Sequence, residues 1–148
     1  MKKYYFIKLL LIYLIFLNNS IASQSDYLEK GIRLFNEKKY EESKILFERD
    51  IVFNPKSEKS YLYLAKILKL DDKDDEYEIN LNNVLLLNPK NDEAIYMLAL
   101  LKIEQSDYEY VKELVEQFNL VCRSLCSKKD EIQKKLDKLT PENEKDNN

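Results

Sequence analysis

The sequence predicts an all-α protein built from repeated helix pairs. Composition is the first observation behind this. One Gly and three Pro in 148 residues leave no Asn-Gly or glycine hairpin turns of the kind that join short strands. Second, apolar segments with helical period alternate with the short polar breaks "KKY", "NPKS", "DDKD", "NPKN", "QSD" and "CSKK". Third, Asn-Pro-Lys at 54–56 returns at 88–90, a period of 34 residues, and each copy precedes an apolar run with a small residue at the same offset.

The N-terminus reads differently. "MKKYYFIK" is a basic start, Leu9–Leu17 is unbroken apolar chain, and Ser20 and Ala22 place small residues where a signal peptidase reads. Counted from Tyr4, the apolar stretch is about 14 residues and contains Lys8, short of the roughly 20 that a spanning helix needs. Residues 1–22 are expected to be a cleavable export signal, cut after Ala22; an uncleaved anchor and a buried helix are the alternatives. Cleavage removes Lys2, Lys3 and Lys8, leaving 21 basic against 27 acidic residues, a formal net charge of −6. That balance opposes binding to a phosphate backbone, so no nucleic-acid partner is expected. Membrane association is expected only if the signal stays attached.

Seven helices are expected, at about 25–37, 40–53, 58–70, 74–87, 91–104, 107–120 and 127–139. Breaks this short make consecutive helices antiparallel neighbours. Proline removes an N–H and pushes the preceding residue out of helical geometry, so Asn54 and Asn88 should sit at or just past helix ends. Ser57 or Asn91 can then cap the next helix. The last helix, "KKDEIQKKLDKL", carries Ile132, Leu136 and Leu139 at helical spacing on a charged background, as a solvating cap on a terminal repeat would. "TPENEKDNN" reads as a polar disordered tail.

Register holds over three units set at 24–57, 58–91 and 92–125. Gly31, Ala65 and Ala99 fall at the eighth place of each, where a small side chain lets two helix backbones approach. Tyr27, Tyr61 and Ile95 stand four places earlier. In the second helices Phe47, Leu81 and Val115 share one apolar place, and Val84 and Phe118 share another. This pattern resembles the tetratricopeptide repeat. Repeat one carries it through Tyr27, Gly31, Leu34, Tyr40, Ser43, Phe47 and Pro55, and repeat two through Tyr61, Leu64, Ala65, Leu68, Leu81, Val84 and Pro89. Repeat three carries it through Leu98, Ala99, Tyr108, Val115 and Phe118, and lacks the closing proline. Asp50, Asp74, Tyr77 and Val111 depart from it, and at Tyr77 and Val111 the helix spacing is expected to open. The resemblance implies an alpha-alpha superhelix, or solenoid, of three TPR helix hairpins with a capping helix at 126–140 and a tail at 141–148. It also suggests a small exported protein of the bacterial periplasm or cell envelope.

Cys122 and Cys126 are the only cysteines. In an oxidising compartment an even pair is expected to be bridged, which would close by a covalent clip the turn that proline closes twice before. Two free thiols, or a redox-active or metal-binding pair, are the alternatives; the chain has no histidine to complete a metal site.

The same absence removes imidazole acid–base chemistry, and a single Gly removes a phosphate-cradling loop. Asp71/Asp72 and Asp74/Asp75 read as turn residues. No enzyme, cofactor, metal or small-molecule substrate is expected. The resemblance implies instead a concave face lined by the first helix of each pair, here Leu28, Ile32 and Phe35, then Leu62, Lys66 and Lys69, then Tyr96, Leu100 and Ile103. This face, apolar with a basic middle, suits a protein or peptide with apolar anchors and an acidic patch. Leu28 and Ile32 fill places where a carboxylate-gripping relative would carry Lys and Asn, and Tyr63 and Met97 places where it would carry Asn and a basic residue, so that mode is not expected. The expected role is a non-catalytic interaction adaptor. The alternative is a structural subunit that self-associates, as a homo-oligomer or in a larger envelope complex, through its apolar faces.

Overall fold

A computed structural model describes residues 24–139. The expected export signal, the polar tail and the side chain of Leu139 lie outside the described residues. The architecture is all-α: three helix hairpins and a short C-terminal helix. In order they are α1 (Gln24–Asn36), α2 (Tyr40–Phe53), α3 (Glu58–Leu70), α4 (Asp74–Leu87), α5 (Asp92–Glu104), α6 (Tyr108–Val121), a 3-10 turn (Cys126–Lys128) and α7 (Lys129–Leu139). Every element lies within two residues of its expected span. The described residues form two compact units, divided between Ser60 and Tyr61.

The same backbone joins each hairpin. Lys38, Asp72 and Ser106, 34 residues apart, all take positive φ, at 61°, 54° and 60°. The following N–H reaches back five residues in each case: Lys39 to the Leu34 carbonyl, Lys73 to Leu68 and Asp107 to Lys102, at 2.9, 3.0 and 2.9 Å. These bonds satisfy carbonyls that the ending helix leaves open. Second helices also end alike, with the N–H of Asn54, Asn88 and Cys122 donating to the carbonyls of Asp50, Val84 and Phe118.

In the first unit, α1 and α2 meet at Gly31. The Ser43 hydroxyl donates to the Gly31 carbonyl at 2.8 Å, and the fully buried Phe47 ring lies against the glycine. Tyr27 stacks on Phe53 with centroids 5.7 Å apart, closing the hairpin at its open end. Asp50 departs from the apolar column and is nevertheless buried, with 1% exposure. Its carboxylate accepts from the Ser60 hydroxyl, which in turn accepts from Ser57 at 3.0 Å. The matching places in the next repeat hold Val84 and Ala94, both fully buried. A polar pair thus occupies the space of an apolar one, and its burial is tolerated because the carboxylate is hydrogen-bonded.

In the second unit, Ile67, Leu68, Leu81, Val84, Ile95, Leu98, Leu101 and Phe118 form the interior. Removing each from water contributes about 1.5–3 kcal/mol. Tyr77 is buried and its hydroxyl donates to the Met97 carbonyl at 3.2 Å, tying α4 to α5; burial pushes its phenol well above the ordinary range. Lys102, largely buried, pairs with Glu78 at 2.6 Å and also donates to Gln105. Asn91 caps α5, its side chain accepting from the Ala94 N–H at 2.8 Å. Ile132 and Leu136 of α7 are buried, and α7 packs on α5 and α6.

Candidate functional site

In the first unit, Leu28, Ile32 and Phe35 stand at i, i+4 and i+7 of α1 and so share one face. All three are half-buried, and Phe35 meets the edge of Tyr40 with centroids 5.4 Å apart.

In the second unit, the first helices of two hairpins, α3 and α5, supply the other six residues. Leu62 is buried, with 8% exposure, so its side chain is committed to the interior. Lys66, Lys69, Tyr96, Leu100 and Ile103 are half-exposed. Neither lysine stands alone. Lys66 pairs with Glu93 at 2.8 Å and lies over the Tyr63 ring. Lys69 pairs with Glu104 at 2.6 Å and with Asp74 at 3.7 Å, and lies over the Tyr77 ring. The hydrogen bond that it donates to Glu104 raises the Lys69 ammonium above its ordinary range.

The basic middle is therefore a charged seam between α3 and α5. Partly exposed pairs of this kind are worth about 0–1 kcal/mol. The two glutamates were not singled out in the sequence. Their signal is distance: Lys69 and Glu104 lie 35 residues apart, one repeat plus one.

Tyr96 is engaged from the other side. Its hydroxyl donates to Glu131 of α7 at 3.0 Å, and its ring sits 6.1 Å from that of Phe118. Burial, then the Glu131 contact, raises its phenol above the ordinary range. Bonds from Lys128 and Tyr96 hold the Glu131 carboxyl below its own. Leu100 and Ile103 complete the half-exposed row of α5 beside the lysines.

The root of α7 is held twice. Cys122 and Cys126 form a disulfide, with Cα atoms 5.2 Å apart. Between them, the N–H groups of Arg123, Ser124 and Leu125 donate to one oxygen of Asp92, at 2.7, 2.7 and 3.2 Å. The Ser124 hydroxyl lies 3.1 Å from both carboxylate oxygens. Burial alone would raise the Asp92 carboxyl, but these donors outweigh it and hold the group below the usual carboxylate range. Asp92 opens α5, so the clip fastens the cap to the first turn of the third hairpin. Among the described residues no group of three or more Cys, Asp or Glu side chains is placed to hold a metal ion, and no helix is long and apolar enough to cross a membrane.

No family model matches the chain, and no curated relative matches its sequence. Solved structures do match its fold. One is the Yersinia enterocolitica type III secretion chaperone SycD in complex with a peptide of the translocator YopD, with TM-score 0.69 and 10% identity, covering 81% of this chain and 94% of that one. Another is the second TPR domain of human RPAP3 in complex with an HSP70 peptide, with TM-score 0.62 and 19% identity over 82% and 95% of the two chains. A third is the Sgt2 TPR domain from Aspergillus fumigatus, with TM-score 0.61 and 15% identity over 84% and 81%. At such identities the likeness is one of fold, and that fold is of the tetratricopeptide type.

Proposed function

We propose that this protein is a non-catalytic adaptor that holds a segment of another protein against α3 and α5. The observation that carries the reading is the Lys66–Glu93 and Lys69–Glu104 seam beside the half-exposed Leu100 and Ile103. A peptide with one or two aliphatic anchors and nearby carboxylates would cover Leu100 and Ile103 and exchange into the lysine pairs. Two fold neighbours, SycD and the RPAP3 domain, were solved with peptides bound, which supports the same use here. Leu28, Ile32 and Phe35 form a separate half-buried row on α1 of the first unit. The basic and apolar leader supports a setting outside the cytoplasm, in a bacterial envelope.

The experiment is a pull-down from envelope extract with wild type and a Lys66→Glu/Lys69→Glu variant. Both lysines are half-exposed, so folding should be kept; Leu62, being buried, is unsuitable for such a change. Loss of a specific protein with unchanged helicity supports the reading. A partner retained at full yield removes it.

A further inference from the structure

We propose that the face formed by the second helices α4 and α6 is a separate docking surface for a basic amphipathic helix of a partner protein. Leu86 and Leu120 stand at the same place of successive repeats and are 80% and 85% exposed. Ile79 lies two turns before Leu86 on the same side of α4 and is also exposed. The first unit repeats both places on α2, with Val52 at 75% exposure and an exposed Ile45. The buried column changes from Phe47 to Leu81 to Val115, while the outermost place stays aliphatic three times. None of these outer side chains stabilises the fold by burial, and each gains only when something covers it.

Gln117 ties α6 to the turn that follows α4. Its Nε2 donates to the Pro89 carbonyl at 2.9 Å, placing the turn before Leu120 beside the chain just past Leu86.

Charge selects the occupant. On α4, which has no base, Asp75 and Glu76 are exposed beside Ile79, while Asp74 and Glu78 pair with Lys69 and Lys102. On α6, Glu109, Glu113 and Glu116 are exposed, and the one lysine, Lys112, pairs with Glu109. Aliphatic anchors rimmed by carboxylates match a helix with a leucine stripe and lysine flanks. A second copy would bring the same carboxylates face to face, and an anionic membrane or a nucleic acid would be repelled.

The test is fluorescence anisotropy of the whole protein with a labelled 18-residue Leu/Lys amphipathic peptide, and with a Leu/Glu peptide of the same pattern (roughly five turns of helix). The Leu/Lys peptide should bind wild type. Leu86→Ser/Leu120→Ser should weaken it about tenfold or more with unchanged circular dichroism, because two exposed leucines lose their burial. Glu113→Gln/Glu116→Gln should also weaken it, whereas Lys66→Glu/Lys69→Glu, on α3, should not. Equal binding of the two peptides, or no response to the leucine variant, overturns the proposal. So does a dimer by light scattering that the leucine variant dissolves, since the occupant would then be a second copy.

Discussion

Gly31 leaves the space that the ring of Phe47 fills. A Cβ built on Gly31 would lie 2.7 Å from Cε1 and 2.9 Å from Cδ1 of that fully buried ring. The next two repeats hold Ala65 with Leu81 and Ala99 with Val115 at the same places, so the larger partner falls where the smaller one rises. Gly31→Ala should gain about 1 kcal/mol of helix propensity and lose about 1–3 to overpacking, a net destabilisation of about 1 kcal/mol in urea melts. Phe47→Leu combined with it should recover most of that loss, and a double-mutant cycle would read the coupling.

Asp50 and Ser60 hold a polar bond where Val84 and Ala94 sit one repeat later. Ser60→Ala should cost about 3 kcal/mol, since it takes the hydroxyl donor from a buried carboxylate. Asp50→Val/Ser57→Ala/Ser60→Ala should return to wild-type stability or exceed it, because the whole buried polar chain of the three side chains leaves together. Thermal melts of wild type and the two variants decide the matter.

The Asp92 clip is expected to weaken in acid. Its folded-state carboxyl lies below the unfolded value of about 3.8, so its contribution is complete above that pH and is lost as pH falls through the folded value. Hydrogen exchange of α7 amides should therefore rise below about pH 4 beyond the intrinsic rate. Asp92→Asn should show the raised exchange at neutral pH and a flat response to acid.

The disulfide closes only a short loop, and the chain-entropy model gives it about 2 kcal/mol. Reduction by a small dithiol should speed exchange in residues 129–139 by about thirtyfold, with α3 and α4 unchanged. Cys122→Ser/Cys126→Ser should behave the same way without reductant. Uniform loosening of every helix would instead mean that the bridge supports the whole unit.

What the sequence discloses and conceals follows one physical division. Pro55, Pro89 and the Gly31/Ala65/Ala99 column act through local backbone and close helix crossing, so they can be read directly. The buried state of Asp50 is not legible, because a charge in a soluble helix reads as surface and its partner lies ten residues on. The Asp92 clip and the Lys69–Glu104 pair span 31 to 35 residues with no local pattern. The place of Leu62 in the repeat points to a ligand face, but its side chain is buried. Leu86 and Leu120 stand in water, which their residue type does not disclose.

The most direct test of the central claim is an NMR titration of isotope-labelled protein with a short peptide carrying isoleucine anchors and glutamates. Saturable shifts at the amides of Lys66, Lys69, Leu100 and Ile103, abolished by Lys66→Glu/Lys69→Glu, are the predicted result. Shifts confined to other helices, or shifts that survive charge reversal at both lysines, would contradict it.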